Sequence, residues 1–208
     1  MIALVDYGAG NLRSVQNALD TLEVESSIAV SPHELAGADA IIFPGVGAAA
    51  PAMAALRARG MDRALLDAIG RGTPFLGICL GLQLLFDRSD EDGAACLGVL
   101  AGRVERLSTK EKLPHVGWNT IDGVARHPVL DGLEGEAMYF THSYVVVPKD
   151  RSLIAGQTTH GLPFVSAVAV DGMVGVQFHP ERSGAAGLNL LQNFIEFANV
   201  AQADHSLS

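Results

Sequence analysis

The sequence predicts an α/β protein, a single domain built on a doubly wound, mostly parallel sheet with an antiparallel β extension. Three observations carry that expectation. Short apolar runs alternate with amphipathic helical stretches through the first half of the chain, as βα units of a parallel sheet require. The early apolar runs close on glycine- and proline-rich turns such as Pro44-Gly45-Val46-Gly47. After Phe86 the helical stretches give way to short strand-like runs, several separated by turns such as Asp122-Gly123 and Asp171-Gly172.

In chain order, Met1 to Val5 reads as a buried strand ended by Gly8 and Gly10. Asn11 is placed to N-cap a helix running to about Leu22, with Leu12, Val15, Leu19 and Leu22 on one face. Glu25 to Val30 is a second strand. Ser31-Pro32-His33-Glu34 then combines capping-box residues with proline at the first helical position. Ala40 to Phe43 is a third strand, and a helical region from about Ala52 to Ile69 is interrupted near Gly60. Phe75 to Ile78 is the fourth strand, leading through a sharp turn into a helix-like stretch, Leu80 to Phe86. The later strand-like runs are Val99–Leu107, Leu113–Ile121, Tyr139–Val147, Leu153–Gln157, Pro163–Val170 and Met173–Phe178, expected to extend the sheet or flank it. A closing helix is expected from about Ala186 to Ala198, with Leu188, Leu191, Phe194 and Ile195 at helical spacing. The domain is thus expected over residues 1–200, with a polar C-terminal tail over 201–208 that frays from Gln202.

Composition narrows the function. At 208 residues, 49% hydrophobic and 18% charged, the chain suits one well-packed core. A formal net charge of −9 with no basic cluster disfavours nucleic acid as a partner. No apolar stretch reaches the roughly 18 residues a membrane helix needs. The N-terminus meets Asp6 without a basic region, unlike a signal peptide. Two cysteines, Cys79 and Cys96, are too few for a disulfide framework, so a reduced, cytoplasmic protein is expected.

Gly77-Ile78-Cys79-Leu80-Gly81 has the form of a nucleophile elbow, a tight strand-to-helix turn that exposes its central residue, here cysteine. At a helix N-terminus the thiolate is favoured by free N–H groups and the positive dipole end. A lone cysteine is as readily core filler as nucleophile; the paired glycines and a second motif decide for the nucleophile. That motif, His179-Pro180-Glu181, begins one hundred residues later. Proline pushes the residue before it toward extended backbone, where residues two apart share a face. His179 would then act as general base, held by Glu181. Pro44-Gly45-Val46-Gly47 can turn backbone N–H groups toward an oxyanion, with the Leu80 N–H as second donor, although an ordinary βα turn has the same composition. Asp6-Tyr7-Gly8-Ala9-Gly10-Asn11 opens like a dinucleotide fingerprint but has Arg13 where the third glycine belongs, so a helix-capping turn is the better reading. His142-Ser143-Tyr144 could hold an amino-acid substrate or simply mark a strand edge. His33, His127, His160 and His205 are expected in solvated loops or turns, and His115 offers no evident local chemistry. No metal and no cofactor is suggested.

These motifs together closely resemble the class I (triad) glutamine amidotransferases, from Met1 to about Ala198. The elbow and His-Pro-Glu are shared by that whole class. Asp6 to Asn11, Pro44 to Gly47, Pro114-His115-Val116-Gly117-Trp118-Asn119, Tyr139-Phe140-Thr141-His142-Ser143-Tyr144 and Gly175 to Ser183 resemble, more narrowly, the glutaminase subunits of imidazole glycerol phosphate synthase. The resemblance implies a Cys79–His179–Glu181 triad and a glutamine pocket including Gly47, Gln83, Ser143 and Tyr144, with Gly45 and His142 alongside. It implies oxyanion donors at Leu80 and at Val46 or Gly47. Asn11, Trp118, Tyr139 and Arg182 would face the partner, a (β/α)₈-barrel cyclase subunit, in a heterodimer that channels ammonia. Leu82 stands where methionine is frequent, and Ala49 and Ala50 where an aromatic residue is usual. A related amidotransferase subunit serving another synthase, or a non-catalytic module of this fold, are the competing readings.

Overall fold

A computed structural model describes residues 1–8 and 10–205. Ala9 of the Asp6–Asn11 motif, tail residues 206–208 and the side chains of Asp204 and His205 lie outside it. The first half alternates as expected: β1 (Ile2–Val5), α1 (Leu12–Thr21), β2 (Ser26–Ala29), α2 (Pro32–Ala36), β3 (Ala40–Gly45), α3 (Ala49–Ala58), α4 (Met61–Gly70) and β4 (Phe75–Cys79). There follow α5 (Leu80–Gln83), β5 (Phe86–Ser89), β6 (Ala94–Ala95), β7 (Leu100–Arg106), β8 (His115–Thr120), β9 (Ala137–His142), β10 (Tyr144–Pro148), β11 (Ile154–His160), β12 (Leu162–Val170), β13 (Met173–Val176) and α6 (Gly184–His205).

The large sheet runs β2-β1-β3-β4-β13-β12-β10-β7-β5-β6, with β11 added on β12; β8 and β9 pair separately. Its first five strands are mutually parallel. Beyond β13 the pairing becomes largely antiparallel, so the expected extension exists. Every residue of β1, β3, β4 and β13 is buried, as strands covered on both faces should be. One core face packs α1 and α6 through Val15, Leu19, Leu190, Leu191 and Phe194. The other packs α2, α3, α4 and α5 through Leu35, Met53, Leu56, Leu65 and Leu82. The chain is therefore doubly wound around one sheet.

β13 decides where the site lies. It pairs antiparallel with β12 but parallel with β4, at Val176↔Ile78. On the other side of β4, Gly45 of β3 stands opposite Cys79. The segments after β1, β3, β4 and β13 consequently leave one carboxyl edge of the sheet together, where open α/β sheets gather their ligands.

Several local expectations are corrected. The stretch Leu80–Phe86 is not one helix: α5 lasts a single turn and Phe86 opens β5. Leu80, Leu82, Leu84, Leu85 and Phe86 are all buried, and a run buried all round has no polar face to reveal its period. Tyr139–Val147 is two strands in different sheets, divided at Ser143, whose carbonyl accepts from the Leu107 N–H at 2.9 Å. Gly45 belongs to β3, not to the loop after it. α6 continues to His205, so residues 201–205 are helix and not frayed tail. Asn11 does precede α1, but its side chain makes no capping bond and accepts instead from the Ser14 hydroxyl at 2.7 Å. Glu34 meets its expected part in the capping box, its carboxylate accepting from the Val30 and Ser31 N–H groups at 2.7 and 2.9 Å. His33 sits on α2 and His160 on β11, neither in a loop.

Candidate active site

Cys79 ends β4 with φ 55° and ψ −108°, a positive φ in a residue that is not glycine. Such a backbone is strained and persists only where its surroundings hold it. Two glycines do so by being small. A Cβ on Gly81 would lie 1.8 Å from the Phe43 carbonyl oxygen, and one on Gly77 would lie 3.0 Å from the Gly81 backbone. The strain itself sits at the cysteine. Because α5 is one turn long, its dipole is smaller than a full helix would supply; the unpaired N–H groups of its first turn remain.

His179 follows β13 and is almost fully buried. Its backbone N–H donates to the Tyr139 carbonyl at 2.9 Å, and Ser183 Oγ donates to the His179 carbonyl at 2.6 Å. Ser183 Oγ also accepts from the Tyr139 N–H at 3.0 Å, locking this turn to β9. His179 Nδ1 lies 2.9 Å from Glu181 Oε1, with both side chains buried. The two meet through a 3₁₀ turn over Pro180–Arg182, not through continued extended alternation. Only His179 keeps the extended backbone expected before proline. Burial works against protonating His179, but the Cys79 sulfur and the Glu181 carboxylate outweigh it and raise its pKa. Nδ1–H donates to the carboxylate, so Nε2 is the nitrogen left for proton transfer. Asn11 Nδ2 donates to the same carboxylate oxygen at 3.3 Å, which brings a residue expected at the partner surface into the site.

A cleft of about 430 Å³ opens beside Cys79, within the size range of small-ligand sites. Val46, Gly47, Leu80, Gln83, His142, Ser143 and Tyr144 line it, as the sequence reading grouped them. Gly45 lies behind this wall, where a Cβ would meet the Tyr7 hydroxyl and the Leu80 Cβ at 2.8 Å. Burial pushes that Tyr7 hydroxyl up to about 12. Glu91 also lines the cleft and was not singled out from sequence; Pro114 and Thr141, which line it too, stand in the quoted motifs without an assigned role. Burial raises the Glu91 pKa, and the Ala49 N–H opposes it. The polar run around Glu91 reads simply as a surface loop, so it carries no signal of its own. Gln177, fully buried two residues before His179, stands in the quoted Gly175–Ser183 motif but was given no role of its own; its Nε2 lies 3.5 Å from Cys79 Sγ.

His142 contributes differently from expectation. Both ring nitrogens are engaged within the protein, Nδ1 with the Tyr144 carbonyl at 3.0 Å and Nε2 with His115 Nδ1 at 3.1 Å. His115, stacked on His160 at 4.1 Å, is part of the same cluster. Burial drives His142 down to about 3 and His115 down to about 4, so both are neutral in the folded protein at neutral pH. In the unfolded chain they would protonate near the ordinary value of 6.5. Stability is thus expected to fall as pH drops below 6.5, with His142 alone costing about 2 kcal/mol at pH 5. Urea melts at pH 7 and pH 5 of wild type and His142→Phe check this: the variant should lose less stability between the two.

Trp118 is 58% exposed and packs edge-on against Tyr139 at 6.1 Å. The Arg182 guanidinium lies 4.1 Å from the centre of the Tyr139 ring. Three of the four expected partner-facing residues therefore form one cation–aromatic patch, next to Asn11 and the His179–Glu181 turn. Among the described residues no helix is long and apolar enough to cross a membrane.

Comparison with known proteins agrees in family. The family model described as glutamine amidotransferase class-I matches residues 3–197. The chain is 47% identical over 200 residues to the imidazole glycerol phosphate synthase subunit HisH of Dehalococcoides mccartyi (strain CBDB1), covering 95% of this chain and 98% of that one. It is 44% identical to the subunit of the same name from Herpetosiphon aurantiacus, covering 95% of each. Among solved structures, a crystal structure of a glutamine amidotransferase superposes with a TM-score of 0.77 at 22% identity, covering 96% of this chain and 100% of that one. The structure of PurLQS from Thermotoga maritima gives a TM-score of 0.75 at 20% identity, covering 94% of this chain and 97% of that one; both likenesses concern the fold alone.

Proposed function

The chain belongs to the class I glutamine amidotransferases, within the family of the imidazole glycerol phosphate synthase subunit HisH, and from that premise we propose the chemistry that its site performs. It is the glutaminase subunit of that synthase and serves histidine biosynthesis. The observation that carries the mechanism is the His179–Glu181 pair at 2.9 Å, set on the same sheet edge as the strained Cys79.

Cys79 thiolate attacks the side-chain carbonyl carbon of glutamine. The N–H groups of Leu80 and of Val46 or Gly47 take the charge of the tetrahedral oxyanion. His179 Nε2 delivers a proton to the departing nitrogen, and ammonia leaves behind a glutamyl thioester. Water, deprotonated by His179, adds to the thioester; collapse releases glutamate and returns the thiol. Glu181 keeps the imidazole in the required tautomer throughout. Gln83, Ser143 and Tyr144 shape the glutamine pocket, and the Glu91 carboxylate on its wall suits the α-ammonium group of an amino acid.

Ammonia free in neutral water becomes ammonium and is no longer nucleophilic, so it has to pass directly to an acceptor. We assign that acceptor to a (β/α)₈-barrel cyclase forming imidazole glycerol phosphate and aminoimidazole carboxamide ribotide. It would dock on the patch of Trp118, Tyr139 and Arg182 beside Asn11. Two free thiols suit the reducing cytoplasm in which such a heterodimer would work.

The test is glutamate release by the chain alone, with the cyclase, and with the cyclase holding its substrate. Release should depend on Cys79 and rise when the partner is loaded; equal rates in all three conditions would remove the partner from the mechanism. Glu181→Gln should lower kcat on the order of 10²-fold, because the imidazolium formed during proton transfer loses its counter-charge. KM should be little changed, since Glu181 is not on the cleft wall.

A further inference from the structure

We propose that Gln177 is a further catalytic residue, donating an amide N–H to the Cys79 sulfur and so favouring the thiolate. The proposal deepens the glutaminase reading and rests on it for the role of Cys79.

Gln177 is completely buried one residue beyond the end of β13, the strand that runs parallel beside β4. That register sets it level with Cys79, and its Nε2 lies 3.5 Å from Sγ. The direction of this contact follows from the neighbours. Gln83 Nε2 lies 3.1 Å from the Tyr144 carbonyl oxygen, which can only accept. That end of Gln83 is therefore its NH₂ group, and its second hydrogen meets Gln177 Oε1 at 3.0 Å. With Oε1 so engaged, the end of Gln177 that faces the sulfur is the donor.

A second chain holds the Tyr144 carbonyl from its other side. Asn119 accepts from the Thr120 N–H at 2.9 Å and donates to the Thr159 carbonyl at 2.8 Å, so its amide orientation is fixed by backbone. Its NH₂ then faces His115 Nε2 at 3.3 Å, leaving the His115 proton on Nδ1. His115 Nδ1–H donates to His142 Nε2 at 3.1 Å, and His142 Nδ1–H donates to the Tyr144 carbonyl at 3.0 Å. Both ends demand the same tautomers. Neutral donors thus converge on one carbonyl and orient the amide that ends on the nucleophile.

A hydrogen bond donated to the charged form of an acid favours that form. The titratable groups around the sulfur are His179 and Glu181 on the turn after β13, Tyr7 after β1, and Glu91 and neutral His142 across the cleft. His179 assists the thiolate as proton acceptor; the carboxylates and the phenol do not donate to it. Gln177 supplies a donor that needs no proton transfer and stays in place when His179 turns to the leaving nitrogen.

The experiment measures the pH dependence of Cys79 alkylation by iodoacetamide, resolved from Cys96 by peptide mass spectrometry, in the wild-type complex with the cyclase and in two variants. Gln177→Met keeps the length of the side chain and removes the donor. Its alkylation midpoint should rise by about one pH unit, and its alkylation rate below the midpoint should fall about tenfold. Glutaminase kcat in the same complex should fall by a similar factor at pH 7 and recover as pH rises. Gln83→Leu leaves Gln177 unoriented and should shift the midpoint in the same direction by less. A folded Gln177→Met protein, verified by its thermal melt, with an unchanged alkylation midpoint overturns the proposal. If that variant does not fold, an unchanged midpoint in Gln83→Leu overturns it. Alkylation reads the thiol without glutamine turnover, so this result stays separate from a failure of the glutaminase reading, which Cys79→Ala would reveal.

Discussion

Replacing Cys79 by alanine is expected to reduce glutamate release by about 10⁴-fold or more, because the proposed covalent route ends while the pocket and the proposed general base remain. The fold should tolerate the change. Cys79 is 6% exposed at the end of a fully buried strand, and removing one sulfur atom leaves a small void beside a cleft that is already open. The backbone strain at φ 55° is the same for alanine as for cysteine, so stability should stay within about 1 kcal/mol of wild type. Such a loss separates chemistry from folding: a thermal melt close to wild type alongside absent glutaminase assigns the defect to the nucleophile. If the proposed cyclase partner carries the acceptor site, ammonium chloride at raised pH should restore synthesis in the complex with it. An alanine variant that still releases glutamate would sink the thiol mechanism. Failure of ammonium to restore synthesis would mean that the substitution disturbs docking.

The motifs that could be read directly were those whose chemistry is local in sequence. The elbow and His-Pro-Glu each declare themselves within five residues, and continuous apolar runs locate β1, β3 and β4 because each is buried throughout. What the pattern could not supply was the partner of each strand. Met173–Phe178 was legible as a strand, yet nothing in it says that β13 inserts parallel beside β4, and that insertion brings His179 to Cys79. Tyr139–Val147 reads as one run because strand-forming residues flank Thr141-His142-Ser143 on both sides, and nothing local says that the sheet changes at Ser143. The same blindness hid Gln177. A glutamine before an apolar residue has no spacing signature, and its meaning comes from the register that sets it level with the thiol. Glu91 and Asn11 are comparable, since their contacts cross long stretches of chain. His115, His142 and His160 were dispersed in sequence and became one cluster only when β8, β9 and β11 came together.

The glycines of the elbow lead to the other large expected effect. Neither Gly77 nor Gly81 has the left-handed backbone that only glycine adopts freely; in this turn Cys79 carries that burden. What they supply is close approach. A methyl group on Gly81 would sit 1.8 Å from the Phe43 carbonyl oxygen and 2.9 Å from its carbon, both backbone atoms in a central strand. Neither can turn aside as a side chain would, so α5 has to move away from β3 by more than an ångström, taking Cys79 and Leu80 with it. Gly81→Ala is therefore expected to cost about 4 kcal/mol or more, a large part of the total for an ordinary domain. In a chain of this length that lowers Tm by about 10 °C or prevents soluble expression. Gly77→Ala, whose added carbon would meet backbone at 3.0 Å, should fall in between. Gly70→Ala, at the end of α4 with nothing within 4 Å, should be neutral or slightly stabilising. Thermal melts of the three variants give the order. If Gly81→Ala melts with wild type yet has lost glutaminase, the elbow shifts cheaply and the glycine serves geometry alone; if it also keeps glutaminase, the close packing of α5 on β3 is not what holds the strained cysteine in place.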